Sequence, residues 1–300
     1  MIVTNSNDLK LHTDGKKTAV ALGSFDALHK GHTEVIGSAV RYARRHSIPA
    51  VVQLVEIPCA VRVNTIEKRL QILEKLGADI VVIEEFSEKF RNVSYKAFVQ
   101  EYLAQRYNAA AVFSGDNYRF GHNAEGDTQR LAEECEKYGI EVIVKKCVIL
   151  DKVISSTEIR SLVRDGKMEK VQEYMGRPFS IFGEVIHGRA VGRTIGFPTA
   201  NIRIPQGIAE PKDGVYLSKV VFDGMVFFGI TNIGAKPTVG VEEKNIETYI
   251  KDYKGDLYGK TIEVQFLKRI RDIQKFDNID YLKNQLEEDK KSVDRLRDEE

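Results

Sequence analysis

The stretch TAVALGSFDALHKGHTEVIGSAVRYARRH, Thr18 to His46, decides how the first half of the chain folds. TAVALG is a continuous apolar run, the mark of a strand covered on both faces, and a helix beginning GHTEVIG follows it directly. The loop between them, GSFDALHKGH from Gly23 to His32, therefore lies at the carboxyl end of a strand in an open parallel sheet, where such sheets bind their ligands. Backbone N–H groups at the helix start favour an anion. His29 and His32, three residues apart, share one side of the turn, and Gly31 leaves out a side chain where a phosphate must approach closely. Zinc is the alternative, but His12, His46, His122 and His187 supply no second ligand pair and no HExxH pattern. Plain capping or surface histidines are the third reading.

Outward from this stretch, AVVQLVEI, DIVVIEE, AAVFSG and IEVIVKKCVI are further buried strands. Helical patterns alternate with them: TIEKRLQILEKLG, with Ile66, Leu70 and Leu73 on one face, SYKAFVQEYLAQRY and GDTQRLAEECEKYG. Strand–helix alternation predicts a Rossmann-like α/β domain with a parallel sheet and right-handed crossovers. SSTEIRSLVRDGKMEKVQEYMGRP then predicts two short helices, each stopped by glycine, before the extended Arg177-Pro178 step. That step sets the expected domain boundary, 1–176 and 177–300.

Beyond it the rhythm changes to Gly-punctuated short strands, GVYLSKVVF, MVFFGITNIG, NIETYIKDY and TIEVQFL. In the last, Ile262, Val264 and Phe266 alternate with Thr261, Glu263 and Gln265, the period of a strand with one buried face. A compact antiparallel β-barrel or sandwich is expected, followed by a terminal helix from about Asn278 with Ile279, Leu282 and Leu286 at helical spacing. The charged tail EEDKKSVDRLRDEE reads as a solvated helix end.

Composition sets the outer limits. Three hundred residues suggest two domains of roughly 150 each. With 42% hydrophobic and 30% charged residues, the balance is that of a soluble globular protein. A formal charge of +1 argues against a nucleic-acid groove, and no apolar run approaches the length of a membrane span. MIVTNSNDLK carries no secretory leader, so a cytoplasmic protein is expected. Cys59, Cys135 and Cys147 form no CxxC pair, which predicts buried reduced thiols. Oligomeric state is left open.

Two further segments carry chemistry. ISSTEIR, Ile154 to Arg160, offers the hydroxyls of Ser156 and Thr157 at a helix start, where capping is their ordinary role, and Arg160 one turn on. HGRAVGRTIGFPTANI, His187 to Ile202, has Gly188, Gly192 and Gly196 ahead of Pro198, Thr199, Ala200 and Asn201. It is no P-loop, since GxxxxGK[ST] is absent. If extended, it sets Thr199 and Asn201 on one face, as oxygen ligands for a magnesium nucleotide. Glu247 points away from the face of Ile246, Thr248 and Ile250, and a solvent-exposed carboxylate is its plain reading.

Together HKGH and SSTEIR resemble the HxGH nucleotidylyltransferase superfamily. Downstream, GFPTANI, GVY, NIGAKPTVG, ETYI and DLYGK resemble riboflavin kinase in their order. In domain order and length the chain resembles the bacterial bifunctional riboflavin kinase and FAD synthetase family. The resemblance implies that ATP phosphorylates riboflavin to FMN in the C-terminal barrel and that a second ATP adenylylates FMN to FAD in the N-terminal domain, with Mg2+ serving both. It implies that His29 and His32 hold the ATP phosphates, that Ser156, Thr157 and Arg160 grip the departing pyrophosphate, and that Gly23, Phe25, Asp26 and Asn117 belong to the same nucleotide and flavin pocket. In the kinase half it implies Thr199 and Asn201 on magnesium and phosphates, Gly188, Gly192, Gly196 and Pro198 in the nucleotide loop, Glu247 as base, and Arg271 and Phe276 near the flavin. This chain departs from the pattern in places. Ala27 and Leu28 precede His29; LVEIP replaces an FxPHP-type segment, losing its aromatic and imidazole at Leu54 and Ile57; Tyr118, Ala124 and Tyr249 replace more usual residues. Two alternatives therefore stand: a riboflavin kinase with a degenerate N-terminal domain, and a flavin-binding protein without turnover.

Overall fold

Thr18–Gly23 is a strand and Lys30–His46 a helix, as the apolar run and its loop predict. The computed structural model describes residues 1–58, 60–188, 196–236, 243–276 and 278–299. By packing, the chain divides into two units, Met1–Ala60 with Thr65–Ser156 and Val61–Asn64 with Thr157–Glu300.

The first unit is built on six strands, β1 (Ile2–Thr4), β2 (Thr18–Gly23), β3 (Ala50–Glu56), β4 (Ile80–Glu85), β5 (Ala109–Gly115) and β6 (Glu141–Lys145). They form one parallel sheet in the order β1-β4-β3-β2-β5-β6. The chain steps outward from β2 to β3 and β4, then returns to place β5 on the other side of β2, so the order reverses beside β2. Alternation along the strands feeds two cores. Val20, Leu22, Val51 and Val82 pack with Phe98, Leu103 and Leu131. Ala19, Ala21, Val52 and Leu54 pack with Val35, Ile36 and Ala39 of the Lys30–His46 helix. Each large aliphatic side chain so buried stabilises the fold by about 1.5–3 kcal/mol, and a charge at Ile36 would forfeit that and more.

Three local features differ from expectation. The edge strand β1 is too short, at three residues, for any periodicity to reveal. The helix expected over SYKAFVQEYLAQRY is one α-turn, Tyr95–Ala97, running into a π-helical segment, Phe98–Arg106, whose wide turns bury Phe98, Val99, Tyr102 and Leu103. The last strand stops at Lys145, ahead of Cys147, which is only half-buried, while Cys135 is buried; both are free thiols, and Cys59 lies outside the described residues.

In the second unit, β7 (Phe179–Glu184), β8 (Thr199–Arg203), β9 (Gly214–Phe222), β10 (Met225–Lys236), β11 (Glu243–Ile250) and β12 (Thr261–Arg271) form an antiparallel sheet, β7-β12-β9-β10-β11-β8. The sheet curls until its two ends meet, and a bridge between Ile186 and Asn201 joins the extension of β7 to β8. Ile202, Ile246 and Ile233 stand in register as part of the core. A ladder of buried hydroxyls crosses the middle strands, Ser218 Oγ to Thr231 Oγ1 at 2.8 Å and Thr231 Oγ1 to Thr248 Oγ1 at 2.9 Å.

The expected short helices are present as Ser156–Arg164 and Met168–Met175, and Gly166 and Gly176 take the left-handed conformation that ends them. Residues 157–176 pack with the second unit, so the packing division falls upstream of Arg177. The terminal helix spans Ile279–Glu299. Its charged stretch is not simply solvated: Val293 packs with Val215, Leu217 and Ile230, and Asp289 is 3% exposed. Polar spacing hid one inward stripe among the charges.

Candidate functional site

The GSFDALHKGH loop is anchored by its own buried side chains, Phe25 and Leu28, which belong to the core formed with Val35 and Ile36 of the following helix. Phe25 and Leu28 adopt positive φ, 45° and 47°, where non-glycine residues are strained. Gly23 permits this turn, since a Cβ there would stand 2.9 Å from the Phe25 ring. His29 is the N-cap of the Lys30–His46 helix, its Nδ1 accepting the His32 N–H at 3.3 Å. The two imidazoles stack, with centroids 3.7 Å apart, and Phe25 meets His32 edge-on at 5.2 Å. Gly31 serves this stack directly: a Cβ would come within 3.2 Å of the His29 ring. His29 and Asp26 are both buried.

Ser156 reaches the same loop from more than a hundred residues away, accepting the Ala27 N–H at 3.4 Å. The two motifs, far apart in sequence, are therefore joined at Ala27. Arg160 donates to Thr157 Oγ1 at 3.0 Å within its own helix. Asn117 is exposed, just past the end of β5, the strand beside β2. Its neighbour Asp116 accepts both the Cys147 N–H, at 3.1 Å, and the thiol, at 2.7 Å. Burial and this carboxylate push the Cys147 thiol up to about 11, while the two hydrogen bonds hold Asp116 below the usual carboxylate range.

A cavity of about 480 Å³ opens beside the loop, with Gly23 and Ser24 at one side and Phe86, Phe90, Phe98, Tyr118 and Phe120 in its walls. Val55, Ile57 and Ala124, three positions in or near the unusual segments, line it too, whereas Leu54 turns into the opposite core. Burial pushes the Tyr118 phenol well above its ordinary value.

In the second unit the register of the sheet assembles the site. Glu247 on β11 stands opposite Asn201 on β8 and Asn232 on β10. Thr199 Oγ1 donates to Glu247 Oε1 at 2.7 Å. Asn201 is 4% exposed, and Gly188 makes way for it, since a Cβ there would lie 2.6 Å from its Nδ2. Gly196 adopts φ 84° at the turn into β8; Gly192 lies outside the described residues. Thr199 borders two cavities. One, of about 300 Å³, also includes Pro198, Tyr253 and Tyr258, and the His187 ring stacks on Tyr258 at 3.9 Å. The other, of about 350 Å³, lies between the sheet and the terminal helix and includes Glu247, Asn232, Tyr249, Arg271 and Phe276.

Sequence reasoning missed Asn232 and Asp289. Asn232 sits on a strand two residues from Ile230 on the same face, a signal available only once β10 is paired with β11. Asp289 clamps Arg271, accepting Nε at 3.0 Å and Nη2 at 2.6 Å, and Gln285 donates to it at 3.0 Å. The i to i+4 spacing of Gln285 and Asp289 was the only hint.

Oxygen donors dominate around Thr199, Asn201 and Glu247, which suits a hard cation that is held mainly by nucleotide phosphates. Among the described residues, no group of three or more His, Cys, Asp or Glu side chains is placed to hold a metal ion. No helix among them is long and apolar enough to cross a membrane.

Comparison with known proteins matches residues 11–158 to the FAD synthetase family model and residues 175–296 to the riboflavin kinase model. The bifunctional riboflavin kinase/FMN adenylyltransferase of Bacillus subtilis is 33% identical over 290 residues, covering 92% of each chain. The Listeria monocytogenes protein of the same name is 34% identical, over 91% of this chain and 90% of that one. A crystal structure described as a macrolide-efflux protein from Streptococcus pneumoniae shares the fold, with TM-score 0.89 and 30% identity over 98% of this chain and 99% of that one.

Proposed function

Since the chain belongs to the bifunctional riboflavin kinase/FMN adenylyltransferase family, we propose that its second unit phosphorylates riboflavin to FMN and its first unit adenylylates FMN to FAD, each with ATP. The two activities divide near Arg177, as 1–176 and 177–300, and the enzyme works in the cytoplasm on soluble substrates.

The observation that carries the kinase reading is Thr199, which borders both cavities and donates to Glu247. Riboflavin fits the cavity under the terminal helix, between Tyr249 and Phe276, and ATP the one beside Pro198 and Tyr258. The ribityl 5′-hydroxyl then meets Glu247, which takes its proton as the oxygen bonds to the γ-phosphorus and ADP leaves. Thr199 and Asn201 would hold magnesium with the phosphates, and the ion supplies charge neutralisation there. Gly188 and Gly196 give the backbone its close approach, with Gly192 between them in sequence, and Arg271 borders the flavin.

In the first unit, an FMN phosphate oxygen attacks the α-phosphorus and pyrophosphate departs. His29 and His32, stacked at the helix start, stabilise the added charge, and Ser156, joined to their loop at Ala27, receives the leaving group; the family resemblance gives Thr157 and Arg160 the same role. Gly23, Phe25 and Asp26 shape the loop, and Asn117 flanks it. Magnesium would here be held by the nucleotide's own phosphates and would supply charge neutralisation. The aliphatic Val55 and Ile57 in the first cavity favour the alternative of a kinase with a degenerate first unit.

Incubation with riboflavin, magnesium and ATP, followed by chromatography of the flavins, separates the readings. FAD supports both steps, FMN alone leaves only the kinase, and unchanged riboflavin removes turnover altogether.

A further inference from the structure

Gln53 lies on β3 with its side chain fully buried, on the face that continues through Val55 and Ile57. It lines the aromatic cavity of the first unit. Its Nε2 donates to the Tyr107 hydroxyl at 2.9 Å, and Tyr107 is itself fully buried. Its Oε1 has no hydrogen-bond partner among the described residues. An acceptor buried without a partner costs about 1–3 kcal/mol, so a fold that keeps one at the edge of an apolar cavity holds it for a donor that arrives from outside. The rest of the lining narrows the donor's identity. Tyr118 and Phe120 stack at 5.6 Å with an interplanar angle of 11°, and Phe90 and Phe98 stand edge-on at 6.2 Å, which favours a flat aromatic ligand.

We propose that Gln53 is a specificity-determining residue of the first unit, its carboxamide oxygen accepting a hydrogen bond from the ring N3–H of the FMN isoalloxazine. The inference rests on the adenylylation reading above. In the oxidised ring system N3–H is the one N–H donor, flanked by two carbonyls, and the dimethylbenzene end has none. The pyrimidine edge therefore enters the cavity toward Gln53, and the ribityl phosphate extends toward Gly23 and Ser24, which border the histidine loop. Adenine also carries an N–H donor, but a nucleotide base there would leave the flavin without the aromatic walls.

The test is steady-state FAD formation by the full chain from supplied FMN and from N3-methyl-FMN, in which the donor is replaced by a methyl group. Wild-type protein is expected to use the methylated flavin with kcat/KM lower by roughly tenfold to a hundredfold, the size of one buried hydrogen bond left unmade. In Gln53→Leu the KM for FMN should rise by about tenfold while the KM for ATP stays within twofold and the preference for FMN over N3-methyl-FMN collapses. FAD formation retained at saturating FMN, with the KM for ATP within twofold, reports that the first unit of the variant has folded. Should Gln53→Leu not fold, the wild-type ratio decides alone. Equal kcat/KM for the two flavins in wild type, or a Gln53→Leu effect on ATP instead of FMN, overturns the inference while adenylylation stands. No FAD from either flavin overturns the adenylylation reading and this inference with it.

Discussion

The two units place phosphate-handling residues by opposite means. In the first, the residues are neighbours in sequence and a single loop does the positioning: His29 and His32 sit three apart on one helix start, with Phe25 and Leu28 at positive φ and buried in the core beneath them. In the second, Thr199, Asn201, Asn232 and Glu247 come from three strands, and the register of the ladder alone brings them onto one face. A loop-built site stores strain locally and depends on small residues such as Gly31. A register-built site carries no such strain among its paired residues, but a slip of one residue would turn every side chain to the other face. The lesson is that damage should stay local in the first unit and spread through the sheet in the second.

The sharpest cut through this comparison is Glu247→Gln. The amide keeps the size of the side chain and can still accept from Thr199, so the register survives while the base is lost. FMN formation is expected to fall by about 10² to 10⁴, with FAD formation from supplied FMN unchanged. An equal fall in both steps would break the assignment of separate sites. His32→Ala is the reciprocal cut. It removes one imidazole from the stack with His29 and its edge contact with Phe25, and adenylylation should drop by roughly 10² to 10³ while riboflavin phosphorylation continues. Quantified chromatography of both flavin products checks the pair.

Legibility in the sequence followed the same division. The loop could be found from a contiguous string because backbone turns and helix starts write their requirements over about ten residues. Even so, the string could not show that Gly31 also makes room for the His29 ring. The sheet of the first unit was readable from its doubly buried runs, apart from the three-residue β1, which has too few positions to show a period. In the second unit, alternation correctly set Glu247 apart from Ile246 and Thr248, yet it could not say which strands flank it, so Asn232 went unseen. Asp289 was lost in a run of charges because a single buried carboxylate leaves no periodic trace. Family resemblance supplied Arg271 but not the partner that holds it.

That partner gives the next prediction. Arg271 and Asp289 form a two-point ion pair whose side chains are 17% and 4% exposed. Removing one member leaves the other desolvated and uncompensated, so Asp289→Ala should destabilise the second unit by about 3 kcal/mol, toward the low end for buried pairs because Arg271 keeps some water. Loosening the helix also opens the cavity that Arg271 and Phe276 border, so the KM for riboflavin should rise along with the loss in melting temperature. Scanning calorimetry and riboflavin kinetics on the same variant test the spread of damage expected of a register-built site. A melting loss with riboflavin KM untouched would show that the helix clamp and the flavin cavity are independent.

The smallest expected effect isolates the parallel sheet from its loop. Glu84 on β4 is buried, and desolvation raises its pKa, although the Ser6 hydroxyl donates to it at 3.0 Å and Arg106 opposes the shift. A carboxyl whose folded pKa lies above its unfolded one contributes stability that is fully present below the unfolded pKa, near 4.3, and is lost as pH rises through the folded value. At neutral pH the ionised side chain therefore costs the first unit stability. Glu84→Gln, neutral at every pH and still able to accept from Ser6, should raise the melting temperature near pH 7, and the gain should shrink to nothing as the pH falls below the ordinary glutamate range. FAD formation should not change, because Phe25 and Leu28, which anchor the histidine loop, pack in the core on the opposite face of the sheet from Val82 and Glu84. A fall in adenylylation with this substitution would mean that the loop reads the sheet beneath it after all, and the contrast between the two units would lose its basis.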